Sequence, residues 1–111
     1  MNNQLRLVVI ESPFAGDIES NINYARRCMA DSLKRGEAPI ASHLLYTQPG
    51  ILEDNNPEER KLGMEAGFAW GELAEATIVY TDRGISSGMK VGIERAELAG
   101  RQVVYRSIEK T

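Results

Sequence analysis

Apolar and polar positions alternate between two spacings along this chain, and the switches mark its elements. Leu5 to Ile10 is an almost continuous apolar run rich in β-branched residues, as expected of a strand covered on both faces. Ser12-Pro13-Phe14-Ala15-Gly16 stops it, and Asp17 is placed to cap a helix. In that helix Ile18, Ile22, Ala25, Met29 and Leu33 recur at spacings of three and four until Gly36, so these residues are its expected buried face.

The pattern then repeats. Ala38-Pro39-Ile40-Ala41, continued by Leu44-Leu45-Tyr46, predicts a second strand with Pro39 near its start. Asn56-Pro57-Glu58-Glu59 combines an N-cap with proline at the first helical position, so a second helix is expected from there to about Ala74. Thr77 to Tyr80 reads as a third strand, Ser87 to Ala99 as a third helix closed by Gly100, and Gln102 to Ser107 as a fourth strand. Strands and helices alternating with short connections predict one α/β domain over residues 1–111. Its four-stranded parallel sheet, in the order 2-1-3-4, carries helices on both faces.

Composition narrows the function classes. Thirteen basic against sixteen acidic residues give a net charge of −3, so the molecule as a whole has no electrostatic reason to approach nucleic acid or an anionic membrane. A single cysteine, Cys28, and a single histidine, His43, argue against disulfide scaffolds, conventional zinc sites and a Cys-His nucleophile pair within one subunit. The polar start from Met1 to Arg6 carries no signal-peptide pattern, and no apolar run approaches the ~20 residues that span a bilayer. A cytoplasmic protein without cofactor or metal is the expectation.

In an open α/β sheet the ligand crevice lies beyond the carboxyl ends of the strands, where strand order reverses, here between strands 1 and 3. Two loops therefore draw attention. Asp82-Arg83-Gly84-Ile85-Ser86-Ser87-Gly88-Met89 offers turning glycines, two hydroxyls and the start of a helix. It reads either as a cradle for a phosphate or carboxylate or simply as a serine N-cap after a glycine turn. It is neither a P-loop nor a G-x-G-x-x-G fingerprint. In the other loop, Ser12, Pro13, Phe14 and Gly16 precede Asn21; Phe14 offers a flat apolar surface and Asn21 an amide, although a lone aromatic is more commonly a packing residue. His43 falls near the end of strand 2, as a site residue or a hydrogen-bonded structural one, and Arg60 is positioned to pair with an anionic group.

Gly63, Gly67 and Gly71 lie four apart on the second helix, and each costs about 1 kcal/mol against alanine. Close approach of another backbone should compensate, either the sheet beneath or the same helix of a second subunit. Phe68 and Trp70 beside the stripe tilt the expectation toward a homo-oligomer.

Several of these segments together resemble a known family. Ser12-Pro13-Phe14-x-Gly16, Asn21, Ala38 to Leu45, Asn56-Pro57-Glu58-Glu59-Arg60-x-Leu62-Gly63, and Ile85-Ser86-x-Gly88-Met89 with Ala96 and Gly100 are similar to small phage and bacterial proteins related to nucleoside 2-deoxyribosyltransferases. The wider superfamily also resembles the SLOG nucleotide-binding domains. The resemblance implies a Rossmann-like or flavodoxin-like three-layer fold and a pocket for a nucleoside or nucleotide-like molecule. It also implies where the chemistry should be. The transferases carry a glutamate nucleophile in a pattern like Gly-Met-x-x-Glu-x-Gly-x-Ala, and laying Gly88 to Ala96 on it puts Gly92 at the glutamate. Glu94 lies about 200° around the helix and cannot stand in. A second carboxylate of that site corresponds to Ser86.

The expected function is therefore binding without glycosyl transfer. The segment Ser86 to Met89 would hold an anionic part and Phe14 and Asn21 would orient sugar or base, with sequestration of a host nucleotide signal as a role for a phage product. One alternative is an N-glycosidase or deoxyribosyltransferase recruiting Asp82, Glu11 or a neighbouring subunit's carboxylate. Another is an oligomeric interaction module built on the glycine-striped helix.

Overall fold

The computed structural model describes residues 4–109, so the first part of the polar Met1 to Arg6 start lies outside the described residues. The elements run β1 (Arg6–Glu11), α1 (Ile18–Lys34), β2 (Glu37–Ile40), α2 (Ser42–Leu45), α3 (Pro57–Gly71), β3 (Ala76–Tyr80), α4 (Ser87–Leu98) and β4 (Gln102–Arg106). All strand pairs are parallel and the sheet order is β2-β1-β3-β4. This is the arrangement expected from the alternating pattern. Pro39 sits in β2, an edge strand, where a missing N–H is tolerated. Among the described residues no helix is long and apolar enough to cross a membrane.

Strand periodicity divides the sheet between two layers. Val8, Ile10, Ala76, Ile78 and Tyr80 pack with Tyr24 and Cys28 of α1 on one face. Val79, Met89 and Ile93 pack on the other, beneath α4, with Val9 beside Gly71 of α3. Glu11 belongs by parity to this second face, with Val9, and it pairs with Val79 in register. A charged side chain at the end of a central strand is thereby turned toward α4.

Local signals place the helix starts. Asp17 accepts from the Ser20 amide, Asn56 from the amides of Glu58 and Glu59, and Ser86 from that of Met89. Three expectations need correction. The second strand stops at Ile40, because the Ala41 carbonyl accepts from the amides of Leu44 and Leu45 and draws them into the short helix α2 rather than into the sheet. The core face of α1 is Asn21, Tyr24, Ala25, Cys28 and Ser32, while Ile18 and Leu33 are exposed, so the true stripe is rotated from the purely apolar one. Helix α3 ends at Gly71, short of Ala74.

The glycine stripe is explained within one chain. A Cβ on Gly67 would fall 2.7 Å from Cβ and Oγ of Ser42, one on Gly63 3.2 Å from Leu52, and one on Gly71 3.4 Å from Val9 and Arg101. The stripe faces α2, its loop and the sheet, so these glycines are not available to a second subunit.

Candidate functional site

On the face of the sheet that carries α3 and α4, a cavity of about 160 Å³ runs from Gly71, Thr77 and Arg101 past Val9 and Glu11 to the loop after β1 and the first turn of α4. It lies beside a wider groove of about 810 Å³ that shares Phe14, Ala15, Asp54, Arg60, Met64 and Phe68 with it. A cavity of roughly 150 Å³ holds a benzene ring, so the inner space suits one ring and the groove the remainder of a larger molecule. Phe14 and Phe68 give both spaces aromatic walls, and Arg95 lies over the Phe68 ring at 4.3 Å.

The floor is built by Glu11, Thr77, Gly92 and Arg101. Burial pushes the Glu11 carboxyl up to about 8, against the opposing charge of Arg101. No hydrogen bond from another described residue holds it in the ionised form. Arg101 is itself pinned, donating from Nε to Thr77 Oγ1 at 3.1 Å and from Nη1 to the Gly71 carbonyl at 2.7 Å. The Glu11 carboxyl occupies a notch in α4: a Cβ on Gly92 would lie 2.5 Å from its Cδ and closer still to Oε2. The space at position 92 is therefore filled by a carboxyl group from another element.

On one wall, Ser12 Oγ and His43 Nε2 are 2.7 Å apart. Burial lowers His43 to about 4, so the ring is neutral at pH 7 and presents one donor and one acceptor nitrogen. The opposite wall is the start of α4. Ser86 Oγ takes the Met89 amide at 3.3 Å, so the protein caps part of its own turn. The amides of Ser87 and Gly88 precede the helical ladder and receive no side-chain cap among the described residues. Arg60 reaches this turn, its Nη2 lying 3.2 Å from where a Gly88 Cβ would be, and it also stands 3.9 Å from Asp54.

Of the residues singled out in the sequence, Ser12, Phe14, His43, Arg60, Ser86, Ser87, Gly88 and Met89 line the cavity, and Gly16 lines the groove. Pro13, Asn21, Asp82 and Gly84 line neither. The Asn21 amide is occupied in bracing the loop, donating to the carbonyls of Phe14 at 3.0 Å and Ala15 at 3.1 Å. Asp82 accepts from Tyr24, Ser107 and the amides of Ile108 and Glu109. Burial opposes its ionisation, but those hydrogen bonds outweigh the penalty and hold it well below the usual carboxylate range. Its lone pairs are committed to tying the end of β4 to α1, which leaves none for a ligand. Gly84, at φ 80°, serves the turn between β3 and α4. Arg101, Thr77 and Ser42 of the lining carried no local signal as site residues, and Phe68 was noted only for an oligomer contact; they come together only where α2, α3, β3 and the start of β4 meet.

The fold is similar to that of a solved 2-deoxyribosyltransferase from the psychrotolerant bacterium Bacillus psychrosaccharolyticus, described as a biocatalyst for the synthesis of antiviral and antitumoral nucleosides. The TM-score is 0.62, with 16% identity, over 95% of this chain and 75% of that one. No curated protein matches the sequence. Residues 6–106 match the family described as Domain of unknown function (DUF7768), and the chain belongs to that family.

Proposed function

We propose that the cavity and its groove bind a nucleoside-type small molecule, with an anionic group at Arg60 and the first turn of α4. One observation carries this reading: the Arg60 guanidinium, only loosely paired with Asp54 at 3.9 Å, and two uncapped helix-start amides border a space lined by two aromatic residues. Phe14 and Phe68 supply faces for a base, and the neutral Ser12–His43 pair supplies hydrogen bonds to sugar hydroxyls. Asn21 acts indirectly, by holding the loop that carries Phe14. The likeness of fold to a 2-deoxyribosyltransferase supports a nucleoside over other ring-bearing anions.

Calorimetric titration with nucleosides, nucleoside monophosphates, ADP-ribose and cyclic nucleotides tests the reading. Binding of at least one class is expected, with Arg60→Ala weakening phosphorylated members by about tenfold, the loss of one charge-assisted contact, and sparing the unphosphorylated ones. Silence across the panel overturns it. Binding alone would make the chain a sink for such molecules, which suits a phage product acting on a nucleotide signal of its host. Cleavage requires a reactive group as well.

A further inference from the structure

Glu11 differs from the other inward-facing acids. Glu37 holds Arg106 through two hydrogen bonds of 2.9 Å and accepts from Ser32, and Asp82 is saturated by side-chain and backbone donors. Both are held in the ionised form. The Glu11 carboxyl has no such donor, and it faces a cavity. No fully buried side-chain nitrogen or oxygen among the described residues lacks a partner, so the Glu11 oxygens, without a protein donor, are reached from the cavity and open to whatever occupies it.

Three features of the surroundings fit a proton-transfer site. Gly92 provides room for the carboxyl, since any larger residue there would displace it. Arg101, fixed by Thr77 and Gly71, sets a positive charge near enough to stabilise the carboxylate once its proton has gone. Ser12 and His43 place neutral polar atoms in the same cavity, able to hold a hydroxyl or a water without supplying a competing charge.

We propose that Glu11 is a catalytic acid, carried on β1 into the notch at Gly92, and that it protonates the leaving nitrogen of an N-glycosidic bond in a bound nucleoside-type molecule. The inference rests on the binding reading above. In the step, the Glu11 proton passes to the base nitrogen while the electron pair of the C1′–N bond leaves with the base. A water entering where the base has left bonds to C1′ and returns a proton to the Glu11 carboxylate. The products are a free base and a reducing sugar, and no oxidant or further reactant is needed. Burial keeps the acid protonated at neutral pH, the form that this chemistry requires.

The test incubates the whole chain with ribo- and 2′-deoxynucleosides and their 5′-monophosphates, and measures free base by chromatography beside calorimetric binding. Release is expected from the wild type, falling about a hundredfold or more in Glu11→Gln with binding retained, the range for removal of a general acid. The rate should decline as pH rises through about 8, where the acid loses its proton. Gly92→Ala offers a second route: its methyl group displaces the carboxyl without altering it, and release should be lost while circular dichroism shows the fold intact. Binding without release by the wild type overturns the inference and leaves the binding reading standing. So does release that survives Glu11→Gln, or that rises above pH 8 and marks the ionised form as reactive. No binding anywhere in the panel overturns both.

Discussion

Glu11 and His43, which both line the cavity, each leave a signature in the stability of the chain. The folded protein holds the Glu11 proton between the ordinary value of 4.5 and about 8, whereas the unfolded chain releases it. The contribution of Glu11 is therefore full below 4.5 and lost as pH rises toward 8. Glu11→Gln should flatten this slope and raise the melting temperature at pH 8 above that of the wild type; a scan from pH 5 to 9 checks it. His43 acts in the opposite direction. Its folded value of about 4 lies below the ordinary 6.5, so the unfolded chain takes up a proton that the folded one refuses, and stability falls as pH drops from 6.5 toward 4. As the single histidine, it gives one unambiguous NMR titration, expected to remain neutral at pH 6. Asp82 is structural: Asp82→Asn removes charge from four hydrogen bonds and should cost on the order of 2 kcal/mol in denaturant unfolding.

At the scale of elements, the sequence announced where helices begin more reliably than which face they bury. Asp17, Asn56 and Ser86 act through bonds to amides two or three residues on, so local chemistry suffices. The face of α1 depends on where the sheet lies, and the sheet selected Tyr24 and Cys28 over Ile18 and Leu33. The same dependence governs the glycines of α3 and separates two substitutions. Gly67→Ala gains about 1 kcal/mol of helix propensity but drives a methyl group 2.7 Å from Ser42, an overpacking cost of roughly 1 to 3 kcal/mol, so a net loss is expected. In Gly71→Ala the nearest atoms are 3.4 Å away, at ordinary contact, and stability should hold or rise by up to about 1 kcal/mol. Equal effects in thermal melts would contradict this account of the stripe.

For the whole molecule, Leu62 and Trp70 of α3 and Leu73 in the turn after it are exposed at 58%, 53% and 67%, an apolar surface that the glycines do not use. We expect self-association of the chain to run through this surface, so sedimentation should show wild-type oligomers that Trp70→Glu disperses; a monomeric wild type removes the expectation. The parallel sheet and its strand order were legible in the sequence alone, because runs of β-branched residues, caps and crossover handedness are short-range rules with few solutions. So was the glycine at position 92, the reason for expecting binding without glycosyl transfer. What only the tertiary structure decided is what fills that position. Glu11 and Gly92 meet because strand parity turns one toward the helix that carries the other, and a contact between residues so far apart in the chain leaves no periodic trace in either segment.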